Sequence, residues 1–408
     1  MNIHPVDSAI IFVYMAATIA LGIWVGRPRK GEQLNTADYF LGGHQLPWWA
    51  LLLSIVATET STATFLSVPG LSFREGGNFS FLQLAGGFII GRTVVAIVLL
   101  PLYFRGSLFT SYQLLDKQLG PATQRLASAL FLAARTIGDA LRLFLTALVL
   151  RNVLQLDMNL CILTVGVVTI VYTLFGGLRS VVWNDCVQFV VYIGGAIWAL
   201  GVLIAHVPGS WRGLWSYGMD HHKFRVILWD THSAPGTYSL GVGIVGGAFL
   251  ALASHGTDHL VVQRLLASRT QRDGARALIL SGVVVFAQFT LFLLIGVALS
   301  YFYATYPPDN QPEYDEVFVR FIVGNMQAGV VGVILAAVFA AAMSTQSSSL
   351  NASSSAAIND FYRPLLGKEV SESHLLWAGK IATLIFGFLQ VAVAISTQWV
   401  GEAESRST

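Results

Sequence analysis

The chain is 408 residues long, 54% hydrophobic and only 11% charged, whereas an ordinary soluble domain carries about a quarter of its residues as charge. That balance excludes a water-soluble globule, and a net charge of +2 with no basic cluster interleaved with aromatics excludes a nucleic-acid partner. The two cysteines, Cys161 and Cys186, fall in or beside apolar stretches without ligand spacing, so neither a zinc site nor a disulfide framework is expected.

In chain order, ten apolar blocks are long enough to cross a bilayer as helices: 8–26, 48–69, 80–104, 126–150, 159–175, 182–206, 239–262, 277–303, 328–347 and 375–398. The first has no basic residue before it and Arg27, Arg29 and Lys30 after it. A cleavable signal has the opposite order, so this block reads as a retained helix with its N-terminus outside. Two longer interruptions, 207–238 and 304–327, belong on one side, and the second holds an acidic run at Asp309, Glu313, Asp315 and Glu316. Basic residues on alternate connections set the orientation. One set holds Arg27, Arg29, Lys30, Arg105, Lys117, Arg125, Arg179, Arg264, Arg269, Arg272, Arg276, Arg363 and Lys368; the other holds only Arg74, Arg151, Arg212, Lys223, Arg225 and Arg320. The richer set is expected in the cytoplasm, which again puts the N-terminus outside a multi-pass protein of the cell membrane.

Two blocks are interrupted. Block 48–69 carries Thr58, Glu59, Thr60, Ser61, Thr62 and Thr64 at its middle, and block 239–262 opens with Gly241, Gly243, Gly246 and Gly247. Lipid offers no hydrogen-bond partners, so broken backbone at membrane depth lines a cavity or is buried in protein. With the first block set aside, these two begin successive five-helix groups, and matching interruptions point to an inverted-repeat transporter.

The densest polar signal lies in 328–358. Ser344, Ser347 and Ser348 share one helix face, with Ala341 one turn earlier and Thr345 beside them. Hydroxyls together with freed carbonyls can replace the water of a hard cation; small residues that simply let helices pack closely are the alternative. Mid-membrane Glu59 could tune an ion site, accept a proton, bind a substrate cation or be a satisfied structural carboxylate. Arg135, Asp139 and Arg142 fall on nearly one face of block 126–150. Arg135 could neutralise Asp139 at i, i+4 or present its fork to a substrate carboxylate. Asp185 lies beside Arg179, where an ordinary ion pair would also account for it.

Pro47-Trp48-Trp49, Gly176-Gly177-Leu178 leading to Trp183-Asn184-Asp185, Gln263-Arg264, and Ala341 through Asn351 together resemble the sodium:solute symporter family, the relatives of the sodium–glucose, sodium–proline and sodium–sialic acid transporters. The resemblance implies an all-α polytopic membrane protein with the inverted-repeat (5+5) fold of the leucine-transporter type. It would form one transporter domain: an extra first helix (8–26), a first repeat (48–206) and a second repeat (239–398) that lacks its last helix. It implies one or two sodium ions, the first held by Ala57, Thr60, Ala341, Ser344 and Thr345, the second by Asp185, Ser344, Ser347 and Ser348. It also implies solute contacts at Ser61, Thr64, Phe79, Gln83 and Arg135, with Glu59 beside them. The expected activity is alternating-access symport of a small organic solute, sialic acid-like or another organic anion. A neutral hexose fits less well, because block 277–303 offers only Gln288 where sugar-carrying members place a lysine. Amino acids, monocarboxylates and vitamins stay open, as do a transporter-like solute sensor and the oligomeric state. Nothing in the motifs suggests an enzyme.

Overall fold

The computed structural model describes all residues except 1–3, 28–34, 107, 155, 230–237, 309, 311–313, 315, 367–369 and 408. Arg29, Lys30 and Lys368, used above for orientation, and Asp309, Glu313 and Asp315 of the acidic run therefore lie outside the described residues.

The chain opens with α1 (Pro5–Gly26), whose N-terminus is set by Pro5 and by the His4 ring accepting from the Val6 amide at 3.3 Å. The short α2 (Thr36–Leu41) is closed by a capping box between Asn35 and Asp38. It leads to the first interrupted span, α3 (Trp48–Glu59) and α4 (Thr62–Phe73), bent by 67°. α5 (Phe81–Val94) runs through a π turn at Val95–Leu99 into α6 (Leu100–Phe104). α7 (Gln113–Leu119) precedes the long α8 (Pro121–Leu154), and α9 (Met158–His206) is followed by the short α10 (Ser210–Asp220). The second interrupted span, α11 (Leu240–Gly256) and α12 (His259–Leu266), bends by 63°. α13 (Gln271–Thr305), the short α14 (Val317–Asn325), α15 (Val330–Ala356) with a π turn at Ala357–Tyr362, α16 (Arg363–Leu366) and α17 (Glu372–Ser407) complete the chain.

At 49 residues, a straight α9 would be about 74 Å long, far beyond a hydrocarbon core of about 30 Å. It folds back at Gly177, where φ is +54°, and the Ser180 hydroxyl reaches the Tyr172 carbonyl at 3.3 Å. Only glycine fits there, since a Cβ would lie 2.3 Å from the Tyr39 carbonyl oxygen. The expected blocks 159–175 and 182–206 are thus two spans joined by a hairpin. All ten expected blocks are helical among the described residues; with α9 counted twice and each bent pair once, nine are long and apolar enough to cross a membrane, α8 being the exception. The two long interruptions carry α10 and α14.

Burial ranks the spans. The apolar window of α1 is 22% buried, whereas that of α15 and its extension is 83% buried, so α15 is the central post and α1 a rim helix. Glycines bring α1 against α9: a Cβ at Gly22 would lie 2.6 Å from the Tyr172 Cβ, and one at Gly26 would lie 2.3 Å from the Gly176 Cα.

Candidate functional site

α3 stops at Glu59 because Thr60 leaves the helix (φ −82°, ψ 104°) and Ser61 turns its hydroxyl to cap the new helix, accepting from the Thr64 amide at 3.2 Å. The carbonyls of the last turn of α3 then lack the next-turn donors of a continuing helix, and α15 meets them. The Thr345 hydroxyl donates to the Thr58 carbonyl at 2.9 Å, and its own-helix acceptor, the Ala341 carbonyl, is farther away at 3.4 Å. Ala57, Thr60, Ala341, Ser344 and Thr345, the five residues expected around a first ion, are all buried. The Thr60 hydroxyl donates to the Val56 carbonyl at 2.9 Å and accepts from the Gln288 amide at 2.8 Å. Gln288 and Tyr192, which donates to Gln288 at 3.0 Å, back the break; Gln288 was noted in the sequence only as a polar side chain, and Tyr192 not at all.

The second expected ion set is also largely gathered, but around a different cation. Asp185 accepts from Ser344 at 2.6 Å through one oxygen; through the other it accepts from Ser54 and, at 3.2 Å, from the Arg264 guanidinium. Arg264 also donates to Ser54 and Thr58, each at 2.7 Å, to the Leu260 carbonyl at 2.6 Å and to the Ser348 hydroxyl. Asp185 and Arg264 are both 0% exposed. The partner of Asp185 is therefore Arg264, not Arg179, and a guanidinium stands where Asp185, Ser344 and Ser348 converge. A carboxylate removed from water takes the cation it can reach. Ser347, the fourth member, donates back to the Ser344 carbonyl at 3.1 Å. Arg264 does not count as a loop charge either.

On the solute side, Ser61 and Thr64 are paired, hydroxyl to hydroxyl, at 3.1 Å. Phe79 stacks edge-on against Phe224 at 5.4 Å, and Gln83 donates to the Tyr238 carbonyl, so both are engaged by the segment that follows α10. Arg135, expected at the solute, turns its fork to Asp258, the N-cap of α12, and lies 3.7 Å from Asp139. Glu59 is engaged too. It is ion-paired with Arg92, which also donates to Ser281 at 2.6 Å, and His255 lies 3.6 Å away. The mid-membrane carboxylate is thus neutralised inside the bundle. The arginine that remains half-exposed is Arg142, 2.9 Å from Asp139. It lines a small cavity, of about 10 Å³ free space, with Asp139, Thr146, Ala342, Thr345 and Gln346, beside the first ion set. Its exposure is not readable from a helix face shared with Arg135.

Matching breaks, buried hydroxyls opposite a frayed helix end, and a buried carboxylate on the neighbouring span are what a sodium-coupled carrier needs. The family model of the sodium:solute symporter family matches residues 39–401. The chain belongs to the sodium:solute symporter family. It is 28% identical to the sodium/sialic acid symporter SiaT of Proteus mirabilis, over 99% of this chain and 81% of that protein. It is 26% identical to the human sodium/iodide cotransporter, over 97% of this chain and 61% of that protein, so it spans about three fifths of that relative's length. The solved substrate-bound, outward-open state of a Na+-coupled sialic acid symporter is 26% identical and superposes with a TM-score of 0.86, over 97% of this chain and 83% of the other. Members of this family are sodium-coupled membrane transporters, not enzymes, and the fold is their inverted-repeat one.

Proposed function

We propose that this chain couples the entry of sodium to the uptake of a small solute bearing a carboxylate, by alternating access across the cell membrane. The observation that carries sodium coupling is the Thr345 hydroxyl lying on the Thr58 carbonyl at 2.9 Å. It brings the hydroxyls of Ser344 and Thr345 to the open end of α3, where the carbonyls of Ala57, Thr60 and Ala341 complete a neutral oxygen set suited to a hard cation. A second ion at Asp185, Ser344, Ser347 and Ser348 would enter only as the Arg264 guanidinium withdraws. The membrane potential contributes about 2.3 kcal/mol per charge per 100 mV.

For the solute, Arg142 takes the role expected of Arg135. Its guanidinium is half-exposed beside Thr345, and the cavity it lines has only about 10 Å³ of free space, room for about one water and far below the usual ligand-pocket range of about 300–1,000 Å³. A solute carboxylate would therefore reach Arg142 only as the helices lining this space part, with Ser61 and Thr64 at the break close to the same helix through the Thr62–Thr146 hydrogen bond of 3.1 Å. Sialic acid, which names two relatives, is itself a carboxylic acid. The two bent spans, at 67° and 63°, support repeats at 48–206 and 239–398 after the 8–26 helix. With Arg264 removed from the count, the described basic residues still favour one face, with Arg27, Arg105, Lys117, Arg125, Arg179, Arg269, Arg272, Arg276 and Arg363 against six. This supports an outside N-terminus.

The test is uptake into proteoliposomes of labelled organic anions, sugars and amino acids, with sodium-dependent thermal stabilisation of the purified protein alongside. S344A and T345A should each need severalfold more sodium for half-maximal uptake. R142A should lose uptake of carboxylates while keeping sodium-dependent stabilisation. Unchanged sodium activation in both hydroxyl variants discards the ion site; full carboxylate uptake by R142A discards the solute anchor.

A further inference from the structure

The N-terminus of α15 is built without side chains of its own. Its N-cap is Gly329, at φ +91°, and its third residue is Gly332. In the usual arrangement an N-cap side chain accepts from the third amide, while a Glu or Gln at the third position accepts from the N-cap amide. Glycine at both positions supplies neither acceptor, and the first amides of a helix have no partner within it.

Asp7, in the first turn of α1, supplies both. One of its carboxylate oxygens accepts from the Gly329 amide at 2.6 Å and from the Gly332 amide at 2.7 Å, and the residue is 2% exposed. The steric fit is equally specific, since a Cβ at Gly332 would lie 2.7 Å from the Asp7 Cα. A negative charge there also complements the dipole of α15. Asp7 is 322 residues from Gly329 in sequence, on a helix outside the residues 39–401 matched by the family model.

We infer that Asp7 is a positioning residue for the ion site: the first span caps the helix that carries Ser344 and Thr345 and thereby fixes where those hydroxyls stand against α3. Ser344 lies about 18 Å along the axis from Gly332, and α15 is packed on nearly every side, so a shift at its N-terminal end is carried down the rod rather than absorbed. The inference rests on the reading of Ser344 and Thr345 as ion ligands.

Wild type, D7A, D7N and S344A reconstituted in the same liposomes provide the test, read as the sodium concentration for half-maximal uptake and as melting temperature. D7A should need about fivefold more sodium, the equivalent of roughly one lost N-cap. D7N should stay within about twofold of wild type, because its amide oxygen still accepts from both amides. A D7A protein that melts earlier with an unchanged sodium requirement reduces Asp7 to a stabilising contact and overturns the inference. Should D7A fail to assemble, D7E moves the carboxylate by one methylene and is read by the same two outcomes. If S344A leaves sodium activation unchanged, the ion-site reading itself has failed and takes this inference with it; a shift in S344A without one in D7A sinks the role of Asp7 alone.

Discussion

Lys223 sits in the segment after α10, and its ammonium donates to the carbonyls of Ser72, Phe73 and Arg74 at 2.9, 3.3 and 2.8 Å. These are the carbonyls at the end of α4, which lack next-turn donors within the helix, that of Arg74 also accepting from the Gly77 amide at 2.9 Å, so a residue that reads as a loop charge closes a helix. Burial pulls its pKa from 10.5 down to about 8. Between those two values the unfolded chain keeps a proton that the folded protein has released, so the stability contributed by this group rises with pH across that window. The difference in melting temperature between wild type and K223M should therefore widen as pH is raised from neutrality through 8 towards 10. A constant difference would mean that the folded lysine holds its proton as firmly as the unfolded one. Nothing local in the sequence exposes this role, because its acceptors lie about 150 residues earlier and are backbone atoms. Arg264 was hidden for the same reason: at the end of an apolar block an arginine looks like a topological marker, and its four side-chain partners come from three other helices.

Among elements, the two interrupted spans were the most legible, because lipid makes a polar run or a glycine cluster at mid-membrane expensive unless the helix breaks. What could not be read was how each break is braced. Glu59 at the end of α3 pairs with Arg92 of α5, Arg92 reaches Ser281 of α13, and His255 of α11 stands 3.6 Å from Glu59. Four spans therefore meet at one ion pair. E59Q leaves the guanidinium of fully buried Arg92 without a counter-charge, which should cost about 3 kcal/mol and appear as an earlier thermal or denaturant transition. A double variant, E59Q/R92M, should lose less than the sum of its single variants, since neither charge is stranded. Additive losses would show that the two side chains act independently and that the brace is not real. The hairpin at Gly177 lies between these cases: two separate blocks were visible from the dip in hydropathy, but the need for glycine comes from the Tyr39 carbonyl, which only the folded chain brings there.

For the whole molecule, the second half of the second interrupted span, α12, which the proposed orientation puts towards the cytoplasm, is held from several sides at once. At its start Asp258 is paired with Arg135 of α8, and within it Arg264 holds Asp185 of α9. Gln263 donates to the Phe40 carbonyl and to Asn351 of α15, both at 2.9 Å, and the Leu266 carbonyl meets the His44 ring at 2.7 Å. On the proposed reading, an ion leaving Ser344 and Thr345 towards the cytoplasm would pass as α12 moves, and the Arg264–Asp185 pair, together with the Arg264 contact to Ser348, joins α12 directly to the expected ion set. A native reporter stands beside that pair: Cys186 follows Asp185 and is buried, its thiol 3.7 Å from the Ala50 carbonyl. In a C161S background, a membrane-impermeant maleimide applied to the cytoplasmic face of inside-out vesicles should label Cys186 slowly in wild type and severalfold faster in R264Q. R135Q breaks the other ion pair of α12 while leaving Asp185 held, so it should raise the rate less. Equal labelling of wild type and R264Q would mean that the inward path opens without α12 leaving Asp185, and the ion would then have to exit along a different face of α15.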